Sequence, residues 1–220
     1  MKHPALSYVA PFVTYLIVLG IGTYSSLGLG WTYPLGILAV LAVLVIFSKG
    51  ALSWRLSQPL QSIVVGLLVF AIWVGPDLVW PGYREYWVFA NPVTGVARSS
   101  LSEALRTNYA FLFFRTAGSI LVIPVIEELF WRAWLMRYLV SSDFQNVGLG
   151  TFSGFSFWVT ALLFASEHGP YWDVGLVAGI AYSLTMIRTR KLADCILAHS
   201  ITNACLALYV LDKNQWQYWL

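Results

Sequence analysis

The chain has 220 residues, of which 59% are apolar and only 10% charged, with a formal net charge of +3 and a mean hydropathy of +0.70. A soluble domain carries about 25% charged residues because a water-facing surface needs them, so a soluble enzyme and a disordered tail are excluded. The 13 Lys and Arg are spread along the chain, which excludes a phosphate-binding surface for nucleic acid and leaves an all-α, polytopic integral membrane protein.

In chain order, residues 4–48 carry no charge, which at about 20 residues per crossing gives two spans. Gly28, Gly30 and Pro34 mark the turn between them. A third span covers 60–79, with Asp77 and Pro81 at its end. The polar, aromatic stretch 81–100 is a loop, and 101–106, with Glu103 and Arg106, forms a short amphipathic helix at the interface. Region 108–140 is too long for one simple span and is interrupted by Pro124; one crossing there gives seven spans in all, and a split at 124–127 gives eight. The runs 152–165, 174–187 and 192–211 follow, several short enough to stop inside the protein. The whole of 1–220 reads as one membrane domain, with N-terminal helices in 1–107 and the catalytic core in 108–211.

Flanking features are weaker guides. With seven spans and an inside N-terminus, Lys2, Lys49, Arg55, Arg188, Arg190 and Lys191 lie inside and Arg84, Arg98, Arg106 and Lys213 outside, six against four in favour of that orientation. The length of the first apolar stretch and the lack of an A-x-A site argue against a cleavable signal peptide. Trp31, Trp54, Trp80, Trp87, Trp172 and Trp216 suit an interfacial aromatic belt. Cys195 and Cys205 lack CxxC spacing and read as inert buried thiols.

The chemistry lies in charges placed where apolar residues are expected. Arg115, Glu127, Glu128 and Arg132 are embedded in apolar sequence, at a cost of about 2.5–3.5 kcal/mol each even on a lenient insertion scale. Glu128 and Arg132, four apart on a helix, share a face and can pair as a structural staple. Glu127, rotated about 100° away, has no local partner; it must find one elsewhere, take up a proton or face water, and each outcome suits a general base. His168 and His199 lie in or beside apolar runs, with Phe164 four residues before His168 and Asn203 four after His199. Taken singly, a His is a packing residue and Asn203 a hydrogen-bonding link between helices. Glu167 and Asp173 flank the His168 turn and read as solvated loop charges.

In order, these segments read EExxxR (Glu127 to Arg132), FxxxH (Phe164 to His168) and HxxxN (His199 to Asn203). Together they resemble the CAAX prenyl protease and bacteriocin-processing (Abi) family of intramembrane proteases, over about 120–208, and most of all its prokaryotic CAAX-protease-related members. The resemblance implies a bundle of seven or eight helices around a polar cavity in a prokaryotic inner membrane. It also implies hydrolysis of a peptide bond in a membrane-associated substrate, prenylated or carrying a sorting signal. By the same resemblance Glu127 and His168 hold and deprotonate water, His199 and Asn203 bind the oxyanion, and Glu128 with Arg132 supports Glu127. The Glu127, His168, His199 and Asn203 set could instead bind a divalent metal such as zinc. Glu167-His168 reverses the start of HExxH, however, so the metal-free glutamate mechanism is favoured and no cofactor is expected. Partners are membrane lipid and a membrane-associated peptide or protein, with no nucleic acid. Two readings of another class stay open: a non-catalytic peptide-binding or immunity protein, and a transporter.

Overall fold

In the computed structural model, which describes residues 3–24, 27–99 and 101–219, eight helices follow from the apolar runs. They are α1 (Leu6–Tyr24), α2 (Leu29–Phe47), α3 (Pro59–Val79), the short α4 (Glu103–Arg106), α5 (Tyr109–Tyr138), α6 (Gly154–Ser166), α7 (Trp172–Thr189) and α8 (Leu192–Lys213). Lys2 and Ser100, used above in the charge count and as a loop end, lie outside the described residues. So does part of the first turn, where the described Gly28 takes a positive φ of 72° that glycine alone adopts without strain. Helices α2, α3, α5 and α8 are long and apolar enough to cross a membrane, while α1 and α6 carry shorter apolar segments. No strand occurs among the described residues, and the protein is an all-helical polytopic membrane protein. Many outward side chains are large and apolar, among them Ile17, Leu38, Ile46, Leu60 and Leu68, as a lipid-facing surface requires.

Region 108–140 is one 30-residue rod, not two helices. Proline lacks an N–H and crowds the carbonyl four residues back. The π-helical turn Gly118–Val122 lies directly before Pro124 and a second, Leu129–Leu135, follows Glu128; such turns take up the mismatch without breaking the rod. At the other extreme, α6 has 13 residues, or about 20 Å at 1.5 Å per residue, against a hydrocarbon core of about 30 Å. It ends just before His168, where Gly169 turns the chain with φ 53°.

Helices α3 and α8 pack closely. A side chain at Gly66 would fall 2.5 Å from the Ala198 carbonyl oxygen, so glycine here lets the backbones meet. Thr202 Oγ1 spans the contact by donating to the Gly66 carbonyl at 3.0 Å. At one end of this pair the buried Asp194 accepts from the Ser57 and Gln58 N–H groups at 2.9 and 3.0 Å, satisfying the open N-terminus of α3. At the other end, Arg84 is buried in the loop between α3 and α4. It pairs with Asp77 at 3.1 Å and with Asp173, and donates to the Pro170 carbonyl at 2.9 Å. Tyr218 donates to Asp77 at 2.7 Å and Tyr83 to Asp173 at 3.0 Å. Loop, α7 start and C-terminal tail are thereby joined above the His168 turn. Asp173 is an ion-pair partner, not a solvated loop charge, because the loop folds back over it. The expected interfacial helix at 101–106 shortens to the four residues of α4. Of the two free thiols Cys195 is buried and Cys205 half-buried.

Candidate active site

Glu127, His168, His199 and Asn203 come from α5, the end of α6 and α8, and all four line one cavity of about 490 Å³. Glu128 and Arg132 do not reach it; both are fully enclosed behind it. The two glutamates face different sides because the helix turns about 100° per residue.

Glu127 is buried, and its Oε2 has no hydrogen-bond partner among the described protein groups. A buried carboxylate oxygen without a partner is costly unless something in the cavity satisfies it. Across the cavity, His168 Nδ1 lies 2.7 Å from the Phe164 carbonyl oxygen. A carbonyl only accepts, so Nδ1 carries the proton, and Nε2 of the neutral ring keeps its lone pair. Trp73 edges the same ring at a centroid distance of 5.2 Å. Gly175 of α7 lies so close that an added Cβ would stand 3.1–3.2 Å from the imidazole. Wedged between a hydrogen bond, an indole and a backbone, His168 has one orientation.

Glu128 Oε1 accepts from Arg132 at 3.1 Å and from His199 Nδ1 at 2.9 Å. Its support therefore runs to Arg132 and His199. Arg132 also donates to the Gly179 carbonyl at 3.2 Å and lies over the Phe164 ring at 4.4 Å. Tyr182 stacks on His199 at 4.9 Å while its hydroxyl donates to Thr202 at 2.8 Å. With Nδ1 tied to Glu128, only Nε2 of His199 is left for the cavity. Asn203 donates one amide hydrogen to the Ser119 carbonyl at 2.8 Å, which sets the orientation of its side chain.

Sequence reasoning missed several neighbours. Glu167 is exposed, as a loop charge would be, yet it also lines the cavity and accepts from the Trp131 indole at 3.1 Å. Tyr15 and Arg115 line the cavity too, and of these only Arg115 carried a signal, as a charge within an apolar run. Glu127, His168, His199 and Asn203, the set that could instead hold a divalent metal, all line this cavity. Among the described residues no three His, Cys, Asp or Glu side chains group as metal ligands.

Residues 108–205 match a family model described as type II CAAX prenyl endopeptidase Rce1-like. This match is in keeping with the CAAX-protease resemblance of the three motifs and covers all seven residues they name. The family is one of peptidases. No curated protein and no solved structure matches the chain.

Proposed function

We propose that this membrane protein is an endopeptidase that hydrolyses a peptide bond of a membrane-associated substrate inside the bilayer boundary. One observation carries the reading: a buried carboxylate oxygen of Glu127 without a protein partner shares a cavity with His168, whose Nε2 lone pair is left free. A water held between the two would lose a proton to Glu127 as its oxygen attacks the carbonyl carbon. His199 and Asn203 stand on α8 as donors to the oxyanion that forms; His199 donates from Nε2 only when doubly protonated, with Glu128 balancing the charge. The proton then passes to the amide nitrogen as the C–N bond breaks, leaving a carboxylate and an amine. General base catalysis of this kind contributes about 10²–10⁴-fold and each oxyanion donor about 10²–10³-fold. In this reading no metal takes part, and the substrate lies along the apolar wall of Leu16, Ile123 and Leu206.

The test is turnover by purified Glu127→Gln protein in lipid. The variant keeps the shape of the side chain and removes the base, so cleavage is expected to vanish while the fold persists; retained turnover sinks the assignment. Native protein should also stay active after prolonged chelation, with less than one metal per chain by elemental analysis. Activity that is lost with zinc and regained on its return would overturn the metal-free mechanism.

A further inference from the structure

Arg115 is the deep cation that the proposed chemistry does not use. A charged side chain within a span is held by a partner or marks a pathway, because its burial is costly. The other deep arginines have partners. Arg132 has Glu128, Arg84 has Asp77 and Asp173, and Arg137 donates to the Ala133 and Val147 carbonyls. Arg115 forms no ion pair with any described carboxylate. Its guanidinium instead lies over the rings of Tyr33 at 5.0 Å and Trp219 at 5.6 Å. Its polar neighbours among the described residues are the neutral hydroxyls of Tyr15 and Tyr33, which leave its charge unbalanced. Aromatic faces take up the flat sides of a guanidinium and leave its N–H edge, a fork that fits a carboxylate in two parallel hydrogen bonds.

Its position gives the fork a purpose. Arg115 lines the same cavity as Glu127, and the two lie on one helix, 12 residues apart. That separation is at most about 18 Å along the axis, which an extended peptide covers in about five residues. Tyr15 lines the same cavity as Arg115 and Glu127. Arg98, from the loop before α4, adds a second cation to the lining.

We propose that Arg115 is a recognition residue for a carboxylate on the bound peptide, placed no more than about five residues from the bond that is cut. The distance rests on the protease reading of Glu127, whereas carboxylate binding does not, and the experiment keeps the two apart. Glu127→Gln protein in nanodiscs of zwitterionic lipid is titrated into a fluorescently labelled pentapeptide of Ala, Ile and Val, followed by anisotropy. Three forms are compared: the free acid, the C-terminal amide, and the amide with one internal Glu.

The acid or the Glu-bearing amide should bind about tenfold or more tightly than the plain amide, and whichever wins identifies the terminal or side-chain carboxylate as the ligand. Arg115→Gln should abolish the preference and Arg115→Lys should keep part of it, since lysine retains charge but not the fork. Equal binding of all three peptides, no binding of any, or a preference that survives Arg115→Gln overturns the proposal. So does a preference erased by anionic lipid, which would assign Arg115 to a headgroup phosphate. If Glu127→Gln still cleaves while the preference follows Arg115, the protease assignment falls and carboxylate recognition stands.

Discussion

Glu127 and Glu128 are adjacent in sequence and opposite in circumstance. Glu128 carries two charge-assisted hydrogen bonds in a site closed to solvent, where removing one member of a pair costs about 3–5 kcal/mol because the other charge is left uncompensated. Oε2 of each glutamate lacks a protein partner, but the ion pairs among the described residues hold Glu128 and not Glu127, so neutralising Glu127 breaks none. Glu128→Gln should therefore lower stability by about 3–5 kcal/mol, and Glu127→Gln should leave it nearly unchanged. Thermal unfolding of the two purified variants in the same lipid checks this, and equal midpoints would contradict the division between a structural and a chemical glutamate. The six polar motif residues were legible because each motif is local, with polar groups repeating at helical spacing in apolar runs. Tyr182 on His199 and Trp131 on Glu167 were not, because an aromatic residue in a hydrophobic helix looks like any other core residue until the fold brings it to its partner, 17 residues along the chain for Tyr182 and 36 for Trp131.

Between helices, α7 positions a residue it does not carry. Gly175 meets the His168 ring, and an alanine there would press on an imidazole already held on its other sides by the Phe164 carbonyl and Trp73. The ring can give way only toward the cavity it lines, so the added methyl should turn it out of its present orientation. A displacement of about 1 Å at a reacting group costs up to about 10²-fold in rate. Gly175→Ala is expected to lower kcat about tenfold to a hundredfold with little change in KM or in the unfolding midpoint. An unaltered kcat would mean that the position of His168 is not critical. The same scale explains what the sequence left open about α5. Its length and Pro124 allowed one helix or two, and no composition rule decides between a break and a π turn; the backbone around 118–135 takes the turn.

At the scale of the whole molecule, contacts between distant segments sort the loops onto two faces. Ser57 and Gln58 bond Asp194, and Arg188 donates to Gln61 at 2.9 Å, so the α2–α3 and α7–α8 connections share one end of the bundle. Trp172 donates to the Val88 carbonyl at 3.1 Å, Ser99 to Trp219 at 3.1 Å and Tyr218 to Asp77, so the 81–99 loop, the His168 turn and the C-terminal tail share the other. Seven rods connect the two ends, because α5 is continuous and α6 and α7 form an antiparallel pair. The cavity lining includes Arg98 and Trp219 of that second face, opposite the basic Lys49 loop. In sealed vesicles of a Cys195→Ser, Cys205→Ser background, single Val93→Cys and Asn214→Cys substitutions, both at exposed positions, should react with a membrane-impermeant maleimide from the same side. Lys49→Cys, exposed at the other end, should react only from the opposite side. If Lys49→Cys and Val93→Cys are labelled from one side, α3 does not cross, and the Arg84 network cannot roof the cavity from across the bilayer. If Asn214→Cys is labelled with Lys49→Cys, the rods after α3 cross an odd number of times and α5 is broken in the membrane after all.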